Sequence, residues 1–487
     1  MKYALGIDFG GGSSKATLLA ENGKIAAVAA SEYPTYYPAV GYAEQNPSDW
    51  YESAKANIKS LLEESGAAAE DIVCISLDAA THTAVLADED FNVLRPSIYW
   101  TDTRCTGQVT FLNENHEKLI KELSYHAPGT IWTLPQIMWV RDNEPEIFKK
   151  IRKIMFAKDY VRHMLTGDFV TDFIEAEGSM LFDLNKGEWS GDLCDMCGID
   201  ISMLPEIKAP SDVIGAVTAK AAADTGLAEG TPVICGTTDT VMEVFAAGAV
   251  EKGNMTIKLA TAGRICAITD KPYPDVNLVN YSHTVKGLWY PGTATKSCAA
   301  SLRWFRDTFG GDYTEIDRSA NEVGTGADGL MFHPYLNGEL TPHQNPKLCG
   351  SFIGIRGGHT KGHFARAVME GVALSMLDCM NTLDEIGIAH DKTAAIIGGG
   401  AKSALWRQIV SDCLGTELVV KRNTDSSFGS AMLAGIAAGF WEDEKSALAV
   451  CSETVSVTKP DFEKTREYRK MYEKYRKVYD ALKDIYQ

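Results

Sequence analysis

The first thirty residues alternate between short apolar runs and small turns, and this pattern predicts an antiparallel meander of three strands. The predicted strands are Tyr3–Asp8, Lys15–Ala20 and Ile25–Ala30. Asn22-Gly23, between the second and third runs, is a strong two-residue hairpin signal. The first turn is the glycine-rich FGGG of residues 9–12. We therefore expect Asp8 at the end of a strand, beside that turn.

The same pattern returns in the middle of the chain. Two strands are predicted at Met255–Leu259 and Arg264–Thr269, and the small-residue turn ATAG (260–263) joins them. We interpret the repeat as an internal duplication with one hairpin in each of two domains, which would divide near Gly248–Gly253. A third glycine-rich turn, GGGA at 398–401, follows the predicted strand Thr393–Ile397 and leads into a helical pattern.

Helical spacing of apolar residues marks two other segments. One begins with Pro47 in its first turn and ends at Gly66. The other is near the C-terminus, where six residues at intervals of 4, 3, 4, 3 and 4 predict one face of an amphipathic helix. These residues are Tyr468, Tyr472, Tyr475, Tyr479, Leu482 and Tyr486.

Length, composition and charge narrow the functional class. A chain of 487 residues is too long for one hydrophobic core, and 45% hydrophobic with 23% charged residues is typical of a globular protein. The net charge of −18 argues against a nucleic acid or an anionic membrane as partner. The chain shows no N-terminal signal pattern, and its 11 scattered cysteines, Cys194 and Cys197 among them, fit reduced thiols in a cytoplasm.

Three turns rich in glycine, serine and threonine, each after a strand, indicate phosphate contacts through backbone N–H groups. None of them has the Gly-Lys-Ser/Thr ending of a P-loop. Asp8 could hold Mg²⁺ through water. Asp239, after the predicted strand Pro232–Cys235, could accept a proton from a substrate hydroxyl or could cap a helix. His82 and the segment WTDTR (100–104) could bind a polyhydroxy ligand or serve the structure alone.

Segments along nearly the whole chain resemble, in the same order, those of the FGGY carbohydrate kinases, and most of all the xylulose kinases among them. In the first half they are GIDFGGGSSKATLL (6–19), EQNPSDWY (44–51), RPSIYWTDTR (95–104), AKDYVRHMLTGDFVTD (157–172) and EGSMLFDLNKGEWS (177–190). In the second half they are CGTTDTVMEVFAAG (235–248), LATAG (259–263), HPYLNGELTPHQNP (333–346) and IIGGGAKSALWRQIVSD (396–412).

The resemblance implies an α/β protein with the two-domain actin/hexokinase-like (ribonuclease H-like) fold and an interdomain cleft for ATP and sugar. Residues 1–250 would form the sugar-binding domain and residues 251–487 the nucleotide-binding domain. The implied reaction is Mg²⁺-dependent phosphorylation of a small sugar by ATP. D-xylulose is the first choice, and another ketopentose, a polyol or a sugar acid are the alternatives. Family members are often homodimers, but the sequence specifies no interface.

The matching positions also imply residue roles. Asp239 would be the general base, and Asp8 would act at the metal ion and the substrate. The sugar would be held by Thr81, His82, Asp102 and Thr240. Phosphate and adenosine would be held by Gly11, Gly12, Ser13, Ser14, Lys15, Thr261, Gly263, Gly399, Gly400 and Ala401.

Two of the departures from the family pattern lie in the sugar pocket that the resemblance implies. Ala80–Thr83 reads Ala-Thr-His-Thr where xylulose kinases commonly have Gln-Met-His-Gly, and Thr240 stands where Asn is common. The changed phosphate loops keep their backbone donors, so kinase activity is still expected. The changes in the sugar pocket leave the identity of the substrate open. A nucleotide-gated binding protein of the actin or chaperone kind is the alternative class, but such proteins lack the WTDTR, GTTDT and GELTP segments.

Overall fold

A computed structural model of the protein describes residues 1–274 and 278–486. The strands in the first half are β1 (Tyr3–Phe9), β2 (Ser13–Ala20), β3 (Ile25–Glu32), β4 (Glu44–Gln45), β5 (Ile72–Ala79), β6 (Ala84–Ala87), β7 (Ser97–Ile98), β8 (Lys153–Phe156), β9 (Val170–Asp172), β10 (Phe182–Asp183), β11 (Glu188–Trp189), β12 (Glu206–Lys208), β13 (Val213–Ala216), β14 (Pro232–Ile234) and β15 (Thr237–Thr238). Those in the second half are β16 (Met255–Leu259), β17 (Gly263–Ala267), β18 (Gly292–Thr295), β19 (Met331–His333), β20 (Ser351–Ile353), β21 (Thr393–Ile397), β22 (Glu417–Lys421) and β23 (Thr454–Thr458).

The helices alternate with these strands. They are α1 (Pro47–Ser65), α2 (Thr106–Asn115), α3 (Glu117–Ser124), α4 (Thr133–Asn143), α5 (Pro145–Phe148), α6 (Ala157–Thr166), α7 (Phe173–Gly178), α8 (Gly191–Cys197), α9 (Ala219–Thr225), α10 (Asp239–Ala246), α11 (Ala299–Phe309), α12 (Tyr313–Asn321), α13 (Lys361–Ile386), α14 (Ala404–Leu414), α15 (Ser426–Ala437), α16 (Glu444–Cys451) and α17 (Phe462–Leu482). In the described residues, no helix combines the length and the apolar character that crossing a bilayer requires.

The chain folds into two units, and neither is continuous in sequence. The first consists of Met1–Gly248, Tyr281–Gly287 and Asn423–Ser452. The second consists of Ala249–Asn280, Leu288–Arg422 and Glu453–Gln487. The first long segment ends at Gly248, within the range where the sequence predicted a division. The chain then returns to the first unit twice, because the helices α15 and α16 belong to it.

The sheet of the first unit has the predicted meander at its centre. Its order is β13-β14-β5-β1-β2-β3, and β15 also pairs with β5. Strand β1 is antiparallel to β2 and parallel to β5. The core residues of β1, among them Leu5, Ile7 and Phe9, are buried, as expected for a central strand covered on both faces.

The sheet of the second unit repeats this topology. Its order is β18-β17-β16-β21-β22-β23, with an antiparallel three-stranded meander followed by two parallel strands and an antiparallel edge strand. Strand β16 has the bounds that the hydrophobic pattern predicted, as does β21. The predicted duplication of a hairpin is therefore confirmed, and the repeat extends to the strands that follow each hairpin.

Helices predicted from spacing are present, with small changes at their ends. Helix α1 starts with Pro47, and Gly66 ends it in the left-handed conformation at φ 64°. The C-terminal helix α17 buries Tyr468 and Tyr475 on one face, as its pattern predicted, but it ends at Leu482, so Tyr486 lies beyond it.

One close backbone approach holds the first unit together. A Cβ atom at Gly6 of β1 would lie 2.1 Å from the carbonyl oxygen of Ser427 and 2.3 Å from the amide nitrogen of Ala431, both on α15. Glycine is required here because real Cβ atoms do not approach backbone atoms so closely.

Replacing Gly6 by alanine should therefore separate α15 from β1 and destabilise the protein by about 3 kcal/mol, which lowers the thermal unfolding midpoint by roughly 5–10 °C. Gly107→Ala is the matched control, because a Cβ atom there meets no atom within 4 Å. Equal midpoints for the two variants, measured by differential scanning fluorimetry, would contradict the close-packing argument.

Candidate active site

Two aspartates lie side by side at the end of the central strands of the first unit. Asp8 of β1 is in register with Asp78 of the parallel strand β5. Residues in register on neighbouring strands project from the same face of a sheet. Asp78 is fully buried and Asp8 is half-buried. Of this pair of carboxyl groups, only Asp8 is partly exposed to solvent.

The two neighbouring carboxyl groups both have raised pKa values. No hydrogen-bond donor is recorded among the described residues for Asp8 Oδ1 or Asp78 Oδ1. Burial, and then the charge of Asp239, raise the pKa of Asp8 to about 7. Burial, and then the charge of Asp8, hold the pKa of Asp78 well above its ordinary value. Both shifts favour the neutral form of the carboxyl group.

Helix α15 supplies the hydrogen bond that fixes Asp78. The Ser430 hydroxyl donates to Asp78 Oδ2 at 2.5 Å. A neighbouring contact joins the same helix to β2, where the hydroxyl oxygens of Thr17 and Ser427 are 2.8 Å apart. The orientation of the carboxyl pair thus depends on a helix that lies more than 300 residues later in the chain than the strand it supports.

A glycine places the predicted base beside this pair. Gly236 has φ +70°, and a Cβ atom there would lie 2.0 Å from the carbonyl oxygen of Leu77 on β5. The close approach lets β15 pair with the end of β5, where Thr237 is in register with Asp78. The next turn of chain then carries Asp239 to the side of the cluster where its charge acts on Asp8.

Asp239 is the first residue of α10, and Thr238 occupies the N-cap position without a side-chain capping hydrogen bond. Asp239 therefore does not stand at the capping position that the sequence left open for it. Asp239 is half-buried, and Thr240, one of the predicted sugar-binding residues, donates its hydroxyl proton to Asp239 Oδ1 at 3.1 Å. The carboxylate is thus held by its own neighbour and keeps part of its surface exposed.

The first glycine-rich turn, Gly10–Gly12, directs its carbonyl groups into the protein. The Tyr33 hydroxyl donates to the first carbonyl at 2.5 Å, and the Tyr33 amide donates to the third at 3.0 Å. Thr35 and the side-chain amide of Gln45 both donate to the middle carbonyl at 3.0 Å. No backbone acceptor is recorded in the described residues for the N–H groups of the second and third glycine. A peptide plane whose oxygen is held on one side presents its N–H group on the other, which suits an anion.

The other residues predicted to bind phosphate have partners in the protein. Ser14 is fully buried and accepts a hydrogen bond from Asn57 at 2.7 Å. Lys15 forms an ion pair with Asp425 at 3.0 Å. Ser13 begins β2 and pairs with Glu32 of β3. Of the first predicted loop, Gly11 and Gly12 are the residues with the clearest geometry for an anion.

The predicted sugar residues Thr81 and His82 follow the end of β5. Both are about nine-tenths buried. His82 has φ +77°, which is unusual for a residue with a side chain and costs free energy at this position. Its amide donates to Glu175 at 2.9 Å, and its ring contacts the carbonyl oxygen of Gly178. A backbone strained in this way and held by several partners is typical of a functional site.

Asp102 has a different environment. It is buried, and its carboxylate accepts hydrogen bonds from the Arg104 guanidinium at 2.8–3.0 Å and from the Ala43 amide at 2.6 Å. The Arg104 guanidinium also reaches Glu44 at 2.8 Å and lies over the Tyr42 ring. The structure does not bring Asp102 to Asp8 as it does Asp239, and sugar binding by Asp102 stays a prediction.

In the second unit, the two other predicted turns lie against each other. Gly398 has φ +92°, and a Cβ atom there would lie 2.6 Å from the carbonyl oxygen of Leu259, just before the turn at 260–263. Gly400 also faces Leu259, while Gly399 has no neighbour within 4 Å of its would-be Cβ atom. The two turns therefore form one surface of small residues, with Ala401 buried behind it.

The turn at 260–263 is held as the first unit's turn is. The backbone amides that lead into helix α11 donate to its carbonyl groups, at 2.7 Å to Ala260 and at 3.1 Å to Thr261. Thr261 is exposed, and Gly263 is buried where a Cβ atom would lie 2.7 Å from Thr295. Again the carbonyl groups are occupied by protein donors.

A cavity of about 690 Å³ lies in the second unit near the GGGA turn. Its lining comes from the segments around α12, α13, α14 and α17 and includes Arg318, Asn321, Arg366, Ala404, Gln408 and Lys464. Its volume is in the range of small-molecule sites.

Comparison with known proteins decides the family. Models of the N-terminal and C-terminal domains of the FGGY family of carbohydrate kinases match residues 3–246 and 256–438. This chain belongs to the FGGY family of carbohydrate kinases. The resemblance inferred from the quoted segments is thus confirmed, and with it the activity class of a sugar kinase.

Full-length relatives of this FGGY kinase carry two different substrate names. The xylulose kinase of Bacillus subtilis (strain 168) is 32% identical over 490 residues, which cover 100% of this chain and 98% of that protein. The gluconokinase of the same organism is 29% identical, with 96% and 93% covered. The crystal structure of xylulose kinase from Rhodospirillum rubrum superposes with a TM-score of 0.92 at 29% identity and covers 100% of both chains. The predicted two-domain α/β kinase fold is therefore confirmed.

Several residues of this site were not singled out from the sequence. Asp78 ends an apolar strand, and its only sequence signal is a carboxylate after a run of buried residues. Tyr33 lies in none of the quoted segments, and Tyr99 lies within RPSIYWTDTR but was given no role, yet a Cβ atom at Gly11 would lie 3.0 Å from the Tyr99 hydroxyl. Burial first, and then the charges of Asp239 and Asp8, raise the pKa of Tyr99. Pairing between distant strands, not local spacing, brings these side chains to the cluster.

The raised pKa of Asp78 makes stability depend on pH. The pKa of Asp78 in the folded protein is well above the ordinary value of 3.8, so the stability linked to this carboxyl group is fully present below about pH 4 and is lost as the pH rises. Asp78→Asn removes this loss and keeps a hydrogen-bonding amide. Its advantage over the natural protein in the free energy of unfolding, measured with urea and without Mg²⁺, should grow between pH 5 and pH 8, by at most ~1.4 kcal/mol per pH unit. The exposed Asp195→Asn is the control, and an advantage that does not change with pH would contradict the raised pKa of Asp78.

Proposed function

We propose that this sugar kinase transfers the γ-phosphoryl group of ATP to a hydroxyl of a small neutral sugar, with D-xylulose as the leading candidate. The observation that carries the proposal is the group of three aspartates, Asp8, Asp78 and Asp239, beside a turn whose carbonyl groups are all bound by the protein. Phosphoryl transfer needs these two things together, a carboxylate for the acceptor hydroxyl and donors for phosphate oxygens.

Asp239 is our candidate for the general base. It begins α10, is half-buried and is oriented by Thr240. A carboxylate in this position can accept the proton of a sugar hydroxyl while that oxygen attacks phosphorus. Thr81, His82 and Thr240 are proposed to bind the sugar, since they lie at the ends of the segments that carry the aspartates.

The glycine-rich turns are proposed to bind the phosphate groups and the adenosine. In the first unit the N–H groups of Gly11 and Gly12 can donate to a phosphate oxygen, because the carbonyl groups of that turn face the other way, toward Tyr33, Thr35 and Gln45. In the second unit, Thr261, Gly263 and the turn 398–401 form a comparable surface. The cavity of about 690 Å³ in the same unit is large enough for a small ligand, and Ala404 and Leu405, just after the turn 398–401, line it.

Mg²⁺ is proposed as the partner ion, and when bound it would neutralise charge on the phosphate groups. The residues present fit it, because Asp8 belongs to an acidic cluster in which Asp239 and Glu243 both raise its pKa. In the described residues, no group of three or more His, Cys, Asp or Glu side chains is arranged to hold a metal ion. Asp8 would therefore share the ion with water and phosphate oxygens, as is usual for Mg²⁺.

The charge of the cluster favours a neutral sugar over a sugar acid. The largest influences that raise the pKa of Asp8, after burial, are the negative charges of Asp239 and Glu243. Lys15, the cross-strand partner of Asp8, is paired with Asp425. A sugar carboxylate would bring a further negative charge to this group, and like charges close together repel each other. For this reason we place D-xylulose before gluconate, although relatives of both names exist.

A substrate panel tests the proposed function. ADP release in a coupled assay with Mg²⁺ should rise with D-xylulose by at least tenfold over a control without sugar, and more than with D-gluconate at the same concentration. Larger stimulation by gluconate would contradict the charge argument but would still support sugar kinase activity. If no ketose, aldose, polyol or sugar acid stimulates ADP release while ATP still binds, the proposed phosphoryl transfer is wrong.

The role of Asp239 has its own test. Asp239→Asn removes the proton acceptor but keeps the shape of the side chain, so kcat should fall by about 10²–10⁴-fold with an unchanged KM for ATP. Asp192→Asn, at an exposed aspartate near the start of α8, is the matched control and should keep full activity. A fall of less than tenfold in the Asp239 variant, with normal folding by circular dichroism, would exclude it as the base.

A further inference from the structure

The short helix α7 holds His82 at two points. Glu175 Oε1 accepts the His82 amide proton at 2.9 Å, and the Gly178 carbonyl oxygen lies 2.5 Å from His82 Nδ1. A carbonyl oxygen is only an acceptor, so Nδ1 carries the proton. In the neutral ring Nε2 is then an acceptor.

A second segment approaches the same ring from the other side. This segment, Tyr281–Gly287, belongs to the first unit although the residues before and after it belong to the second; we call it the strap. The Tyr281 hydroxyl lies 3.2 Å from His82 Nε2. When the His82 ring is neutral, Nε2 is the acceptor and Tyr281 is the donor. The hydrogen bonds then run in one direction, from Tyr281 through His82 to Gly178.

Helix α7 also anchors the strap. Both oxygens of the buried Glu177 accept hydrogen bonds from the residue after Tyr281, the amide of Ser282 at 2.8 Å and its hydroxyl at 2.6 Å. A carboxylate that holds one residue through two bonds restricts both its position and its rotation. The same six-residue helix therefore positions His82 directly and, through Glu177, positions the residue that contacts the far side of its ring.

Aromatic packing closes the arrangement. The Trp132 ring meets His82 edge-on at 4.6 Å and stacks on His126 at 4.5 Å between centroids. His126 in turn contacts Tyr281 at 5.4 Å, and the Tyr281 ring lies 6.3 Å from His82. Each of the four rings touches two others, so a shift of Tyr281 is transmitted to His82.

We infer that Tyr281, held by Glu177 and Ser282, is a positioning residue for the sugar site: it fixes the ring orientation and the tautomer of His82. This inference rests on the proposed sugar-kinase function, in which Thr81 and His82 bind the sugar. Tyr281 and Ser282 lie outside the segments by which the family was recognised, and the spacing of residues along the chain gives them no role. Their role comes from the return of the strap to the first unit.

The test separates sugar binding from nucleotide binding. Tyr281→Phe removes the hydroxyl, and Ser282→Ala and Glu177→Gln weaken its anchor. Each variant should raise the KM for the sugar by about tenfold, the effect of one lost hydrogen bond, while the KM for ATP stays within twofold. Ser282→Thr keeps both donors and should restore a KM close to that of the natural protein. Ser282→Ala and Glu177→Gln decide the matter if Tyr281→Phe does not fold.

Tyr51→Phe is the matched control. Tyr51 also donates its hydroxyl to a carboxylate of the first unit, Asp224, at 3.3 Å, but it lies outside the His82 cluster. This variant should keep both KM values. If Tyr281→Phe and Tyr51→Phe lower the thermal midpoint equally and neither changes the KM for the sugar, Tyr281 has a structural role alone and the inference fails.

A spectroscopic readout distinguishes failure of this inference from failure of the proposed function. In ¹⁵N-histidine NMR spectra, with the His82 signal assigned from a His82→Gln variant, the natural protein should show the Nδ1-protonated tautomer. Tyr281→Phe should increase the Nε2-protonated fraction. If the protein phosphorylates no sugar but His82 behaves in this way, the function is wrong and the positioning stands. An Nε2-protonated His82 in the natural protein would overturn the positioning itself.

Discussion

Helix α15 lies so close to strand β1 that only glycine fits between them, and the arrangement of the first unit's site depends on this contact. The approach at Gly6 brings Ser430 within hydrogen-bonding distance of Asp78 and Asp425 within reach of Lys15. Without α15 the buried Asp78 would lose its donor, and an unpartnered carboxyl group in the interior is costly. The first unit is thus completed by a segment that the chain supplies only after most of the second unit.

The aspartate cluster is unfavourable for folding and useful for chemistry. Burial and like charges raise the pKa values of Asp8 and Asp78, so ionising them opposes the folded state at neutral pH. Perturbed carboxylates of this kind are concentrated at functional sites. In this protein the raised pKa values limit the negative charge of the buried carboxyl pair. The same group of charges gives a physical reason to prefer a neutral sugar among the substrates named for the relatives.

The turns of the two units are held in the same way. In both units a glycine-rich turn has its carbonyl groups bound by protein donors, which are Tyr33, Thr35 and Gln45 in the first unit and the amides leading into α11 in the second. The donors differ in kind, but the consequence for the peptide planes is the same. The shared sheet topology explains why the turns lie at equivalent strand ends, and the local partners then decide which way each turn faces.

The sequence by itself determined the strands, the duplicated hairpins, the family and the approximate positions of Asp8, Asp239 and His82, because these depend on local hydrophobic periodicity, turn residues and ordered motifs. It did not reveal Asp78, nor the support of His82 by Glu175, Glu177 and Tyr281. Sugar binding by Asp102 stays a prediction, and the structure adds that the Arg104 guanidinium and the Ala43 amide both donate to this carboxylate. These features were decided by tertiary structure. Register between parallel strands, the fit of a helix against Gly6 and the return of the strap join residues from 70 to more than 400 positions apart. No local pattern along the chain encodes which of them will meet.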